Sequence, residues 1–199
     1  MSLKSLFPTQ IWTTELPTAK ASKLNSQLSQ EAYAFRELDR AGKQWSKSNY
    51  DAGYTSYGTI TDLPYRSPSF AGLKKVIDGE VKKYLKALRI APPSGKVEMS
   101  TCWVNIMGRH CHHSFHLHPL SVISGTYYVQ VPKGAGSFKI EDPRLGLFMG
   151  RPCQDNPFWS FQPKPGALLL FESWLRHEVP ANQSDQDRIS VSFNYDWVR

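Results

Sequence analysis

The sequence predicts a mainly β fold with helices near its N-terminus, and two patterns carry this prediction. The first 95 residues show apolar positions at helical spacing, whereas from Lys96 onward polar and apolar residues alternate as they do in strands. Clusters of Pro and Gly separate the alternating segments. Many short strands that follow two helices are typical of a β-barrel or β-sandwich supported by helices.

Two helices are predicted in the N-terminal part. The first covers residues 19–39 with Thr18 as its N-cap. The second begins near Ser67 and ends before the turn at residues 92–95, which contains two prolines and a glycine. Between the helices, residues 43–65 are rich in Gly, Ser, Tyr and Asp, a composition that favours a loop with short strands.

The alternating segments predict the strands of the C-terminal part. They lie at residues 97–107, 121–132, 136–140, 167–171 and 188–197. A chain of 199 residues is long enough for one domain with a substantial core. We therefore expect a single domain of residues 1–199, in which helices and loops of residues 1–95 support a β-barrel core of residues 96–199.

Composition and charge exclude several classes of protein. Hydrophobic residues make up 40% of the chain, and no apolar run is long enough to cross a membrane. The net charge is +7, but the lysines are dispersed and no nucleic-acid-binding motif accompanies them. The N-terminus lacks the apolar region of a secretory signal, so a cytoplasmic location is expected. Three irregularly spaced cysteines, Cys102, Cys111 and Cys153, are expected to be reduced thiols.

The histidines indicate a metal site. Five of the six lie between His110 and His118. In a strand, residues i and i+2 point to the same face, so His116 and His118 can reach one ion while Leu117 faces apolar packing. His177, which follows an apolar strand, is the remaining histidine and the candidate third ligand. Three such ligands would leave positions on a divalent metal open for substrate.

An alternative pair has the same spacing. His110 and His112 are also two residues apart. We favour His116 and His118 because they lie closer to the strand that begins at Ser121. A histidine-rich surface loop that binds no metal is the structural alternative to both pairs.

The last strand carries a polar face of unusual composition. Arg188, Ser190, Ser192 and Asn194 alternate with apolar residues. This face either meets solvent or lines the inside of a barrel that holds a polar ligand. In the second case, an arginine with a serine two residues on is suited to a carboxylate, through charge-assisted hydrogen bonds.

Together these residues resemble the 2-oxoglutarate/Fe(II) oxygenases, and within them an uncharacterised bacterial subgroup with an HxHP motif. The similarity covers most of residues 97–199, and the opening Leu6-Phe7-Pro8-Thr9 also fits the subgroup. The motifs are His116-x-His118-Pro119, Ser124-Gly125-x-Tyr127-Tyr128-Val129, Asp142-Pro143-Arg144, Pro165-Gly166, Phe171-x-Ser173-Trp174 with His177, and Arg188-x-Ser190-x-Ser192-Phe193-Asn194.

The resemblance implies a fold, a reaction and roles for individual residues. The fold is a double-stranded β-helix, the cupin-like jelly-roll barrel. The reaction couples oxidative decarboxylation of 2-oxoglutarate to oxidation of a substrate, usually hydroxylation of a C–H bond. Fe(II) would bind the HxH pair and His177. Arg188 would pair with the distal carboxylate of 2-oxoglutarate with help from Ser190, and Tyr128 and Asn105 would also contact this cosubstrate.

The sequence departs from the wider superfamily at one metal ligand. Most members have a carboxylate two residues after the first histidine, whereas this chain has His118. Three imidazoles leave the site one charge more positive than two imidazoles and a carboxylate. Asp142 is the nearest candidate for a replacement carboxylate, although its Asp-Pro-Arg context favours a turn. Glu172 stands where the resemblance leads us to expect a proline.

Two alternative functions therefore accompany the oxygenase. One is a three-histidine metal dioxygenase that does not use 2-oxoglutarate, and the other is a non-catalytic metal-binding barrel. Zinc is an alternative metal, because three histidines are also a common zinc ligand set. As partners we expect a small-molecule or peptide substrate, no nucleic acid and no membrane, with a homodimer as one expected assembly.

Overall fold

The computed structural model describes residues 2–92, 94–144 and 157–199. Across these residues the chain forms four helices and ten strands. The helices are α1 (Thr18–Leu38), α2 (Arg40–Asn49), α3 (Leu63–Arg66) and α4 (Pro68–Leu88). The strands are β1 (Trp12–Glu15), β2 (Gly53–Thr55), β3 (Lys96–Met107), β4 (His113–His116), β5 (Ile123–Gln130), β6 (Phe138–Glu141), β7 (Phe158–Phe161), β8 (Ala167–Glu172), β9 (His177–Val179) and β10 (Arg188–Val198).

The strands form two antiparallel sheets that pack face to face as a jelly roll. The larger sheet has the order β1-β8-β5-β10-β3-β2, and the smaller has the order β4-β9-β6-β7. Buried residues of both sheets meet between them, including Phe171 of β8, Phe138 of β6 and Val179 of β9. Within the described residues no strand pairing joins the sheets, so this jelly roll is a sandwich of two sheets rather than a closed barrel.

A second core lies on the other face of the larger sheet, where the helices pack. Ile189, Val191 and Phe193 of β10 belong to this core together with Phe70 and Ile77 of α4. The alternation in β10 therefore separates two buried environments. Its apolar residues face the helices, and its polar residues face the space between the sheets.

The N-terminal helices match the predicted positions closely. Helix α4 begins at Pro68, and Ser67 caps it by accepting a hydrogen bond from the Ser69 backbone N–H. Thr18 was predicted to cap α1, and this is wrong. Pro17 occupies the cap position without a side-chain hydrogen bond, so Thr18 is the first helical residue.

Residues 43–65 were predicted as a loop with short strands; one short strand, β2, is present, but helix α2 extends as far as Asn49 and α3 begins at Leu63. Strand β2 follows and pairs with β3, while β1 pairs with β8 at the opposite edge of the larger sheet. The first 95 residues therefore supply two edge strands to the sandwich as well as helices. The single-domain organisation with a division after residue 95 stays a prediction.

Two further expectations concern cysteines and membranes. Cys102 and Cys111 are buried free thiols, and Cys153 lies outside the described residues. In the part of the chain that the structure describes, no helix is long and apolar enough to cross a membrane.

Candidate metal centre

Three histidines meet at one end of the smaller sheet. His116 ends β4 and lies directly opposite His177, the first residue of β9, in the antiparallel register. His118 follows two residues after β4, where its backbone N–H donates to the Ser173 carbonyl at 3.0 Å. One ring nitrogen from each of the three lies within 4.8 Å of the others. The structure thus brings together the three residues predicted as metal ligands.

The route by which His118 reaches this cluster differs from the prediction. Strand β4 ends at His116, so the two histidines are not neighbours on one face of a strand. Leu117 was predicted to pack inward, but it is 44% exposed. The alternative pair, His110 and His112, is exposed to solvent.

Backbone carbonyls hold two of the imidazoles in place. His116 Nδ1 lies 2.8 Å from the Ser114 carbonyl oxygen, and His177 Nδ1 lies 2.8 Å from the Leu175 carbonyl oxygen. Since a carbonyl can only accept, Nδ1 carries the proton in each ring, and Nε2 keeps a free lone pair. This is the arrangement that orients histidine ligands in metal sites.

Burial keeps the three imidazoles uncharged. It lowers the pKa of His177 to about 2 and that of His118 to about 4, with the neighbouring His116 as a second cause in both. Burial also lowers the pKa of His116, against the opposing effect of the Ser114 carbonyl. Metal ions bind the neutral form of histidine, so the site is in its ligating state at neutral pH.

His113 is a residue of the site that the sequence analysis did not single out as a ligand or binding group. Its ring stacks on the His116 ring, with centroids 4.0 Å apart and planes at 21°. The Tyr50 ring meets its edge at 5.6 Å. His113 lines the same cavity as the three histidines.

Arg188 lies in the cavity that the histidines line, and it is 1% exposed. Its Nη1 donates to Met107 Sδ at 3.2 Å and to Ser190 Oγ at 3.4 Å. Nε and Nη2 have no hydrogen-bond partner among the described residues. A buried cation with unpaired N–H groups is costly, so this geometry suits an anionic ligand.

Tyr128 lies beside Arg188, although it is not among the residues that line the cavity. Its ring lies under the guanidinium of Arg188, which is 5.2 Å from the ring centroid. The hydroxyl is buried without a partner in the described part of the chain. Burial raises the pKa of Tyr128 to about 12, so the hydroxyl stays protonated and can donate to a carboxylate.

Asn105 lies in the cavity wall, but its side chain already has partners. Its Oδ1 accepts from Thr55 Oγ1 at 2.8 Å, and its Nδ2 donates to Ser192 Oγ at 3.1 Å. Ser192 is also 3.3 Å from Thr126 Oγ1. These bonds tie β2, β3, β10 and β5 together across the wall.

The sequence left open whether the polar face of β10 meets solvent and whether Asp142 is a metal ligand, and the structure answers both questions. The polar face of β10 lines the cavity instead of meeting solvent, since Arg188, Ser190 and Ser192 all contribute to its wall. Asp142 accepts three hydrogen bonds from Arg144 in a turn, and the described metal-ligand cluster contains no carboxylate.

A family model described as "Putative 2OG-Fe(II) oxygenase" matches residues 101–194, a segment that includes the three histidines and Arg188. This segment of the chain is thus similar to the 2-oxoglutarate/Fe(II) oxygenase family. The match confirms the predicted resemblance, the oxygenase class and the cofactors Fe(II) and 2-oxoglutarate. The HxHP subgroup stays a prediction. Comparison with curated protein sequences finds no match.

Solved structures share this fold at low sequence identity. A prolyl-4-hydroxylase from Pseudomonas putida superimposes with a TM-score of 0.62 at 14% identity, over 96% of this chain and 94% of that chain. HygX from Streptomyces hygroscopicus was solved with nickel, 2-oxoglutarate and hygromycin B bound. It superimposes with a TM-score of 0.62 at 14% identity, over 96% of this chain and 84% of the HygX chain. The viral collagen prolyl hydroxylase of Paramecium Bursaria Chlorella virus-1 superimposes with a TM-score of 0.60 at 12% identity, over 95% of this chain and 96% of that chain. This similarity confirms the mainly β jelly-roll fold with helices.

Proposed function

We propose that this 2-oxoglutarate- and Fe(II)-dependent oxygenase, a hydroxylase by expectation, holds Fe(II) on His116, His118 and His177 and anchors 2-oxoglutarate on Arg188. The observation that carries the proposal is the buried guanidinium of Arg188 with unpaired N–H groups in the cavity that the three histidines line. A dianion that spans from the metal to Arg188 would compensate for the charge at both ends.

The residues fit Fe(II) by the chemistry of their donors. Three neutral imidazole nitrogens on one side of an ion leave its other side open, as the reaction requires. When bound, Fe(II) and 2-oxoglutarate would together activate O₂: oxidative decarboxylation of 2-oxoglutarate uses two of its oxidising equivalents, and the other two oxidise the substrate. The protein contributes the carbonyl contacts of Ser114 and Leu175, which hold two of the ligand rings in a fixed orientation.

The other end of the cavity would bind and orient the cosubstrate. Arg188 offers two unpaired N–H groups for a bidentate contact, and the Tyr128 hydroxyl offers a further donor. Ser190 steadies the guanidinium through Nη1. Asn105 would act mainly by keeping the wall in register through Thr55 and Ser192.

His118 favours a second candidate, a three-histidine dioxygenase that does not use 2-oxoglutarate. Its imidazole stands where a carboxylate is usual, and the described residues offer no replacement. Arg188 argues against this candidate, because a reaction without 2-oxoglutarate has no evident need for a buried unpaired cation. Metal analysis of the purified protein distinguishes zinc from iron. A turnover assay distinguishes a non-catalytic barrel from both enzymes.

The deciding experiment is anaerobic addition of 2-oxoglutarate to Fe(II)-loaded protein while the visible metal-to-ligand charge-transfer band is recorded. We expect a band in the wild type that is strongly weakened in Arg188→Ala. Arg109→Ala is the matched control, since Arg109 is an exposed arginine paired with Asp185. Iron-containing wild type without a band would refute the 2-oxoglutarate role and favour the second candidate.

Several partner and location expectations accompany this function. Enzymes of the family act on small-molecule or peptide substrates. We propose further that the protein acts in the cytoplasm, binds no nucleic acid and forms a homodimer. Size-exclusion chromatography with light scattering tests the last of these.

A further inference from the structure

An exposed aromatic ring stands beside the metal-ligand cluster. Tyr57, in the loop after β2, is 49% exposed. Its ring meets the Trp103 ring edge-on, with centroids 4.9 Å apart and planes at 60°. Trp103 is buried and lines the cavity, and its ring centroid lies 5.9 Å from that of His118. The buried Trp103 ring thus lies between the exposed Tyr57 ring and the His118 ring, in contact with both.

Two leucines on either side of His118 are exposed as well. Leu117 is 44% exposed and Leu120 is 99% exposed. Large apolar side chains that a fold leaves in water next to a functional cavity are typical of ligand-binding surfaces. We call Tyr57, Leu117 and Leu120 the apolar rim; they do not line the cavity itself, but Tyr57 contacts its residue Trp103 and the leucines lie close in sequence to its residue His118.

The charge of the cavity limits what can enter it. Arg188 is the sole Arg, Lys, Asp or Glu side chain among the described residues that line it. A divalent metal on three neutral imidazoles keeps its full charge, and the two negative charges of 2-oxoglutarate leave the loaded site with a net charge near +1. A cationic group would meet repulsion in a low-dielectric space without a carboxylate to pair with.

We propose that the apolar rim is the substrate-binding surface and that the substrate presents an uncharged apolar group, such as an aromatic ring, to the site. This inference rests on the proposed function and deepens it by naming the chemistry of the substrate. A small molecule and a peptide side chain can both supply such a group, and the experiment distinguishes these sources.

The test measures binding near the metal by ¹⁹F relaxation, without turnover. Protein loaded with Mn(II) and 2-oxoglutarate is mixed with 4-fluorobenzyl alcohol or with its cationic counterpart 4-fluorobenzylamine. Zn(II)-loaded protein is the diamagnetic reference. The peptide source is represented by N-acetyl-4-fluorophenylalanine amide. We expect paramagnetic broadening of a neutral probe that clearly exceeds the broadening of the amine.

Variants connect the signal to the rim. Tyr57→Ala removes the exposed ring and should weaken binding of the neutral probe by about three- to tenfold, the range that loss of one aromatic contact gives. Tyr57→Phe keeps the ring and should retain binding. Tyr65→Ala is the control, because Tyr65 is an 82% exposed tyrosine on α3.

Each outcome decides the inference. Broadening of the alcohol alone supports a small-molecule substrate, and broadening of the peptide amide alone supports a peptide side chain. Broadening of the amine that equals or exceeds that of the neutral probes, no broadening of any probe, or an unchanged signal in Tyr57→Ala overturns the proposal. The charge-transfer experiment with 2-oxoglutarate is independent of the rim, so a failure of the proposed function is recognised separately.

Discussion

The guanidinium of Arg188 lies 5.2 Å from the centre of the Tyr128 ring, and both side chains are buried between the sheets. Two nitrogens of Arg188 and the Tyr128 hydroxyl lack partners in the described part of the chain. These groups are buried without full hydrogen bonding to the protein, which costs free energy. The ligand-free fold is therefore less stable than its packing alone would make it.

Arg188→Met should separate ligand binding from stability. Removing the buried charge should leave the melting temperature of the ligand-free protein unchanged or raise it, because an apolar side chain of similar length suits this position. The affinity for 2-oxoglutarate should fall by about 100-fold, as expected for the loss of roughly 3 kcal/mol from a buried charge-assisted pair. Scanning calorimetry and anaerobic 2-oxoglutarate titration measure the two effects.

Two comparisons sharpen this prediction. Tyr128→Phe removes one donor and keeps the ring, so its effect on 2-oxoglutarate affinity should be smaller than that of Arg188→Met. Arg109→Met, at an exposed ion pair, should change neither quantity. A ligand-free Arg188→Met protein that melts much lower while its 2-oxoglutarate affinity is unchanged would make Arg188 a structural residue.

His118→Asp should weaken the binding of 2-oxoglutarate by lowering the charge of the metal site. The substitution introduces one negative charge beside the bound dianion, and the repulsion acts in a partly buried space. We expect a loss of affinity of at least about tenfold, a change of roughly 1.4 kcal/mol. His118→Asn is the matched control, since asparagine has nearly the same shape as aspartate but carries no charge. Equal affinities of the two variants would show that charge at this ligand does not control cosubstrate binding.

The sequence predicted the outline of this site because several of its features obey simple periodicity. The alternation of β10 placed Arg188, Ser190 and Ser192 on one face, and the structure finds them along one cavity wall. The five predicted strands all exist, with ends shifted by a few residues. Long strands carry enough alternating positions for the pattern to be recognised.

The features that escaped prediction are short or irregular. Strands β4 and β9 have four and three residues, too few to show a period. The pairing of β4 with β9 shifts register between His113 and His116, so these two rings stack although their spacing of three residues does not fit a regular strand. Helix α2 is rich in Lys and Ser and has few apolar positions, so its sequence resembles a loop.

The stacked pair of His113 and His116 should affect metal affinity. His113→Ala removes the surface against which the His116 ring lies, and we expect metal binding to weaken by about tenfold, as for loss of other contacts that orient ligands. His113→Phe keeps a flat ring at this position and should retain most of the affinity. Competition with a chromophoric chelator measures the effect on Zn(II) or Fe(II).

The control for this experiment is another histidine close in sequence. His112 is exposed, so His112→Ala should leave metal affinity unchanged. A loss in His113→Phe as large as that in His113→Ala would indicate that the nitrogen atoms of His113 matter, and not its stacking. Unchanged affinity in both would refute an orienting role.

Asp39 should make the stability of the N-terminal helices depend on pH. Its carboxylate accepts hydrogen bonds from the Gly42 backbone N–H at 2.8 Å, from the Tyr54 hydroxyl at 2.9 Å and from the Thr59 hydroxyl at 2.5 Å. Burial alone would raise the pKa of Asp39, but the bonds from Thr59, Gly42 and Tyr54 outweigh it and hold the pKa below its usual value. The carboxylate therefore stabilises the fold above its ordinary pKa, and this contribution is lost as pH falls through the lowered value.

Asp39→Asn should accordingly cost about 1–2 kcal/mol of unfolding free energy at neutral pH, because the Tyr54 and Thr59 hydroxyls lose their charged acceptor, while asparagine can still cap the helix at Gly42. The difference from wild type should begin to shrink as the pH falls below about 4, where Asp39 protonates in the unfolded chain, and should disappear below the lowered pKa of the folded state. Urea unfolding of both proteins at several pH values measures it. Glu37→Gln is the control, because Glu37 is an exposed carboxylate on the preceding helix whose pairs with Arg36 and Lys43 are open to solvent. A difference between Asp39→Asn and wild type that stays constant down to strongly acidic pH would show that the shape of Asp39, and not its charge, stabilises the helix.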